Sequence, residues 1–137
     1  MRINEVMSTD VCVIGPGTSL RDAARMMAAR DVGSLPVGEN DRLVGFVTDR
    51  DIVLRAVAEG MGPDTAVREV MSSDIRYCFD DEDIDHVAEN MAQLEMRRLP
   101  VLSRDKRLVG IVSLANFAYS RDAGASQELL RGVAKPH

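Results

Sequence analysis

Only two cysteines, Cys12 and Cys78, occur in the 137 residues, and nothing in their spacing suggests a pair. Two lone thiols build no disulfide framework and suit a reducing cytoplasm, where their expected role is as small buried apolar groups. Histidine is equally sparse. His137 is the last residue, and His86 has no second ligand at metal spacing, so no zinc site is expected. No apolar run approaches the length a membrane helix needs, so no membrane association is expected. The opening Met1-Arg2-Ile3-Asn4-Glu5 lacks the charged-then-apolar pattern of a secretion signal, which makes the cytoplasm the expected location. Lysine is confined to Lys106 and Lys135, so the cations are almost all arginine, whose planar fork suits phosphate and carboxylate. The net charge of −5 opposes generic nucleic-acid binding, which calls for a basic face. Neither a Walker loop nor a Gly-x-Gly-x-x-Gly turn is present, and no Ser–His–Asp or Cys–His set can be assembled. An enzyme is therefore not expected.

What the chain does have is a repeat. Glu5-Val6-Met7-Ser8 returns as Glu69-Val70-Met71-Ser72, and Leu35-Pro36-Val37 as Leu99-Pro100-Val101, both 64 residues on. Arg42-Leu43-Val44-Gly45-Phe46-Val47-Thr48 returns as Arg107-Leu108-Val109-Gly110-Ile111-Val112-Ser113, now 65 residues on, so one residue was inserted between the last two blocks. Three blocks in the same order indicate a tandem duplication. Each half, at about 60 residues, is marginal alone, which favours two half-domains sharing a core about a pseudo-twofold axis.

The local pattern predicts strand–helix–strand–strand–helix in each copy. In the first, Val11–Ile14 reads as a strand ended by Gly15-Pro16-Gly17. Ser19 with Asp22 reads as a helix-start box, and Leu20, Ala23, Ala24 and Met27 follow at helical spacing as far as Arg30-Asp31. Strands Ser34–Val37 and Leu43–Val47 flank a polar turn, and Thr48 caps a second helix reaching about Glu59. In the second copy Ile75–Phe79 reads as a strand, and Ile84, Val87, Ala88 and Met91 stripe a helix. Leu99–Leu102 and Leu108–Val112 then pair, and a last helix follows Ser113. Met26, Met27, Met91 and Met96 fit the core faces of helices, and Gln127–Val133 is a further short helix candidate. The fold class is α/β (α+β), with small sheets covered by helices.

The Glu-Val-Met opening, the central Leu-Pro-Val and the closing Gly-x-Val-Thr-x-x-Asp together resemble the cystathionine-β-synthase (CBS) domain, and two in tandem resemble a Bateman module. The resemblance spans roughly residues 1–120 and sets motif 1 at 1–60, a linker at 61–66, motif 2 at 67–122 and a tail at 123–137. It implies two β-α-β-β-α motifs packed with pseudo-twofold symmetry, two clefts for adenosine-containing molecules, a regulatory rather than catalytic role, and a homodimer formed through helices. Helices Ser19–Arg30 and Asp83–Glu95, or the second helices, are the candidate contacts.

On residue chemistry alone Thr48 can cap a helix that Asp51 favours through the dipole, or the same pair can hold a ligand. A helix start seats phosphate, and a carboxylate one turn on accepts from two ribose hydroxyls at once. The resemblance places the family's phosphate-binding hydroxyl on Thr48 and its ribose-binding carboxylate on Asp51. It joins them, in a main cleft, with Ile75, Arg76, Arg97, Arg98 and Pro100, the backbone at Ile75-Arg76 reading the adenine edge. The second cleft takes Val11, Cys12, Gly33, Ser34, Pro36, Ser113 and Asn116. There Asn116 stands where the first copy has Asp51, so that cleft is expected to grip ribose more weakly. Arg97 and Arg98 are consecutive on a strand, so one is expected to face the cleft and the other to be solvated or to pair with the acidic run Asp80–Asp83. The ligand expected is AMP, ADP, ATP or NAD, no cofactor is required, and the regulated partner protein is left open. The competing reading is a ligand-independent dimeric interaction scaffold.

Overall fold

The computed structural model describes residues 1–113, Asn116 and Phe117. The helix expected after Ser113 lies, apart from Asn116 and Phe117, outside the described residues, as does Gln127–Val133. Contacts divide the chain into two units, Cys12–Ile75 and a second made of Met1–Val11 with the chain from Arg76 onward.

In the unit Cys12–Ile75, Ser19 caps helix α1 (Leu20–Arg30), its side chain accepting from the Asp22 amide at 3.1 Å. Asp31, left-handed at φ 54°, ends it. Leu20, Ala23 and Met27 are buried as their spacing predicts, but Ala24 faces outward. Strands β1 (Ser34–Glu39) and β2 (Arg42–Thr48) form an antiparallel hairpin. Its two-residue turn, Asn40-Asp41, has φ of 54° and 63°. Positive φ at both central positions matches the right-handed twist of the strands, and Asn and Asp tolerate it. Thr48 caps the next helix, but α-helical bonding lasts only for Asp49–Asp51 (α2) before a π-helical stretch over Ile52–Val57.

In the other unit β3 (Cys78–Phe79) pairs in parallel with β4 (Arg98–Leu102), which pairs antiparallel with β5 (Leu108–Ser113). Helix α3 (Ile84–Leu94) is capped by Asp83 and buries Ile84, Val87, Ala88, Met91 and Ala92. The residue inserted between the repeat blocks lies in the β4–β5 turn. Five residues, Ser103 to Arg107, separate the paired Leu102 and Leu108, with Lys106 at φ 66°, where four, Glu39 to Arg42, separate the matching pair Gly38 and Leu43.

The first strand of each copy is shorter than its sequence predicts. Val11–Ile14 is reduced to one parallel bridge, Ile14 to Val37, and Ile75–Phe79 to Cys78–Phe79. The cause is the proline of Leu-Pro-Val. Extending the first ladder toward Cys12 requires an N–H on Pro36, and extending the second toward Arg76 requires one on Pro100. Proline has none, so both ladders stop at the same place.

The units do not follow the order of the repeat, because each takes its Glu-Val-Met-Ser block from the other copy. Ser8 exchanges backbone hydrogen bonds with Ile111 (2.8 and 2.9 Å), and Ser72 does so with Phe46 (2.8 and 2.9 Å). Ile3 is buried in the core of Ile84, Val87, Met91, Leu99, Val101, Val112 and Phe117. Val67 and Val70 are buried with Leu20, Met27, Leu35, Val37 and Val47. Burying such a side chain is worth roughly 2 kcal/mol, so these short segments are integral to the cores they enter.

Cys78 is one of those core residues. Burial, reinforced by the nearby Glu82 and Asp80 carboxylates, pushes its thiol up to about 12. The native state therefore keeps a proton that the unfolded chain loses nearer pH 9, and stability is expected to fall between about pH 9 and pH 12. The slope should approach about 1.4 kcal/mol per pH unit and should flatten in Cys78→Ala. Urea titrations at stepped alkaline pH measure it; equal slopes for the two proteins would contradict the assignment. Cys12 is only half-buried, against Met26.

Candidate functional site

The end of β2 carries the most organised polar constellation of the unit Cys12–Ile75. The Thr48 amide donates to Asp51 Oδ2 at 2.9 Å, and the Asp51 amide donates to Thr48 Oγ1 at 3.0 Å. This reciprocal box arises because strand geometry at Thr48 passes directly into a helical turn, leaving free amides that a hydroxyl and a carboxylate three residues apart can satisfy. The Asp51 side chain is 16% exposed, and its Oδ1 lies 3.8 Å from Arg55 Nε. Gly33 and Ser34 sit beside the box: Ser34 is the register partner of Thr48, and the Asp49 amide donates to the Gly33 carbonyl at 2.9 Å. A Cβ on Gly33 would come within 3.1 Å of Asp49 Oδ2.

The second copy repeats the arrangement with a neutral group. Asn116 Oδ1 accepts from the Ser113 amide at 2.8 Å and from Ser113 Oγ at 2.9 Å. Asparagine thus accepts from the capping amide as aspartate does, but here the Ser113 hydroxyl donates to the side chain, whereas the Thr48 hydroxyl accepts from the Asp51 amide.

Of the other residues expected in the main cleft, Ile75 belongs to the unit of Thr48 and Asp51. Arg76, Arg97, Arg98 and Pro100 belong to the other unit. Ile75 is half-buried and Arg76 exposed. Arg97 is exposed just before β4, whereas Arg98 begins β4, half-buried and in register with Ser113. Pro100 is buried. Of the second set, Cys12, Gly33, Ser34 and Pro36 lie in Cys12–Ile75, Pro36 buried with its carbonyl accepting from Ile14. Val11, Ser113 and Asn116 lie in the other unit. The acidic run finds a different arginine from the two considered. Asp81 is held by Arg104, whose Nε donates to both carboxylate oxygens (2.9 and 3.0 Å) while its guanidinium stacks 4.2 Å over the Phe79 ring. Arg104 holds the Asp81 carboxyl below the usual carboxylate range.

The sequence pattern missed two features. One is Arg55, which touches both Asp51 and the Val70 carbonyl (Nη1 to O, 3.3 Å). The other is an open hollow of about 470 Å3 beside α1, lined by Ala24, Met27, Asp31, Asp49, Ile52 and Val53. On the π-helical stretch Val53, Leu54 and Val57 are exposed at 54, 46 and 67%, and Met61, beyond its end, at 40%. An apolar face of this kind has no signal in spacing alone, since it continues the core stripe around the helix. Among the described residues no helix is long and apolar enough to cross a membrane, and no group of His, Cys, Asp or Glu is placed to hold a metal ion.

The CBS domain family profile matches residues 3–57 and again 67–120. The chain belongs to the CBS domain family. This CBS pair is 36% identical to the CBS domain-containing protein YhcV of Bacillus subtilis over 124 residues, covering 90% of this chain and 88% of that one. It is 35% identical to hypoxic response protein 1 of Mycobacterium tuberculosis over 134 residues, 96% and 93% of the two chains. Among solved structures, the CBS domain pair of MJ0100, in complex with 5′-methylthioadenosine and S-adenosyl-L-methionine, superposes with a TM-score of 0.75 at 25% identity. That match covers 86% of this chain and 93% of that one. Hypoxic response protein I with two coordinated zinc ions superposes with a TM-score of 0.80 at 35% identity, covering 89% of this chain and all of that one.

Proposed function

We propose that this CBS pair is a non-catalytic regulatory sensor that binds an adenosine-containing nucleotide, AMP, ADP, ATP or NAD. In this reading one main cleft combines Thr48, Asp51 and Ile75 with Arg76, Arg97, Arg98 and Pro100, and occupancy shifts a conformation or assembly that a partner protein reads. The observation that carries the reading is the Thr48–Asp51 box. Asp51 spends Oδ2 on the Thr48 amide; its Oδ1, with Arg55 Nε 3.8 Å away, is the oxygen proposed to accept from a sugar diol. The two ligands of the MJ0100 pair share adenosine and its ribose diol but contain no phosphate. The ribose diol of such ligands is the group that a carboxylate like Asp51 is suited to accept from. The arginines are a separate provision, suited to an anionic extension of the ligand. The second cleft, with Ser113 and Asn116, is weaker for ribose. A homodimer in a reducing cytoplasm completes the proposal, with the exposed apolar residues Val53, Leu54, Val57 and Met61 as the favoured contact face.

Asp51→Asn is the clean probe, because Asn116 closes the equivalent cap and the variant should fold as the wild type does. Calorimetric titration with AMP is expected to give one site per chain, weakened at least tenfold in Asp51→Asn, the scale of a lost charge-assisted hydrogen bond. Absence of heat from the wild type at millimolar AMP and NAD would refute the sensor. The scaffold reading draws on the same exposed helix face. It predicts a dimer whose mass by light scattering is indifferent to nucleotide and to residue 51.

A further inference from the structure

Arg55 has a place in no motif, yet it bridges two parts of the unit Cys12–Ile75 that the proposed site depends on. Its Nε lies 3.8 Å from Asp51 Oδ1, and its Nη1 donates to the Val70 carbonyl at 3.3 Å. Val70 is buried in the Glu-Val-Met-Ser block, where Met71 packs on β2 and Ser72 pairs with Phe46. Five residues further on lies Ile75, whose backbone is assigned to the adenine edge. One guanidinium therefore fastens the ribose carboxylate to the segment that leads to the base-reading residue. The Thr48 amide binds one Asp51 carboxylate oxygen, and the Arg55 guanidinium lies within ion-pair reach of the other. Arg55 itself emerges from the π-helical stretch Ile52–Val57, a conformation that recurs at functional sites.

The duplication supplies an independent observation. At the positions matching Asp51 and Arg55 the second copy has Asn116 and Ser120. Carboxylate and guanidinium are replaced together by neutral groups, although Asn116 still closes its cap. A cation kept only to satisfy the Val70 carbonyl has no reason to disappear with the acid; a cation kept for the acid does.

We propose that Arg55 is a positioning residue for the nucleotide site, orienting the Asp51 carboxylate toward the ribose diol and tying it to the segment leading to Ile75. This deepens the sensor reading and rests on it. The test is a double-mutant cycle read by AMP calorimetry on the full chain: wild type, Arg55→Gln, Asp51→Asn and the double variant, with Arg55→Lys as the conservative control. Arg55→Gln is expected to weaken AMP about three- to fivefold, the scale of a partly exposed ion pair. Arg55→Lys should recover part of that loss, because one ammonium can reach the carboxylate but not also Val70. In the Asp51→Asn background the Arg55→Gln change should cost nothing further. A purely structural arginine would weaken both backgrounds by the same factor, and that additivity would overturn the proposal. So would unchanged affinity in Arg55→Gln while Asp51→Asn is impaired, which leaves the sensor reading standing. A silent wild-type titration overturns both together.

Discussion

Gly110→Val is expected to lower the unfolding free energy by about 3 kcal/mol, and Gly45→Val by a similar amount, the upper range for overpacking a close contact. A Cβ at Gly110 would stand 2.6 Å from Met7 Sδ and 2.9 Å from the Ser8 carbonyl oxygen. At Gly45 the same atom meets Met71 Sδ at 2.6 Å and the Ser72 carbonyl oxygen at 3.0 Å. The thioethers can swing aside, since methionine is flexible. The carbonyls cannot, because Ser8 and Ser72 each hold two backbone hydrogen bonds to the residue following the glycine. Relief therefore requires undocking the whole Glu-Val-Met-Ser segment, with Ile3 in one unit and Val67 and Val70 in the other. Urea denaturation measures the loss, and hydrogen exchange locates it. Protection should fall at Ile3–Ser8 in Gly110→Val and at Val67–Ser72 in Gly45→Val. Gly62→Ala, where a Cβ meets nothing within 4 Å, is the control. Wild-type stability in both valine variants would mean that the segments do not dock there.

Asn116→Asp is expected to add a second, weaker AMP site, raising the calorimetric stoichiometry from one toward two per chain. The two caps share one bond: the Ser113 amide donates to Asn116 Oδ1 at 2.8 Å as the Thr48 amide donates to Asp51 Oδ2 at 2.9 Å. The substitution keeps the capping oxygen and turns the amide nitrogen into a second acceptor. If the proposed cleft takes a ribose there, a neutral amide donor is replaced by a charged acceptor for one diol hydroxyl, a difference of about tenfold or more in affinity. In the proposed second cleft the new site is expected to stay weaker, because the first copy has Gly33 and Ser34 at the positions of Arg97 and Arg98. Unaltered stoichiometry at saturating AMP would show that residue 116 does not limit that cleft.

Much of this was legible in the linear chain because it is local. The α1 and α3 stripes follow the helical period, so Leu20 and Met27, or Ile84 and Met91, could be assigned to the core before any coordinates. The Asn40-Asp41 turn and the Thr48–Asp51 box involve residues within three of each other, where backbone geometry alone fixes the distance. The truncated first strands were misjudged although their cause is written in the sequence. Pro36 and Pro100 lack the N–H the ladder needs, but that matters only once the partner strand is known.

Other features have no local signature. That Asp81 pairs with Arg104 depends on a β4–β5 turn one residue longer than its counterpart, which brings Arg104 over Phe79. That Arg55 spans Asp51 and Val70 depends on where the chain returns after a 15-residue separation. By itself the sequence determined the duplication, the family, helices α1 and α3, the two hairpins and the Ser19 and Thr48 caps, because periodicity and short-range hydrogen bonds act within a few residues. Only the tertiary structure decided which glycine receives which Glu-Val-Met-Ser block and which arginine holds which acid. Those choices are made between segments far apart in the chain, where packing, rather than spacing, selects the partner.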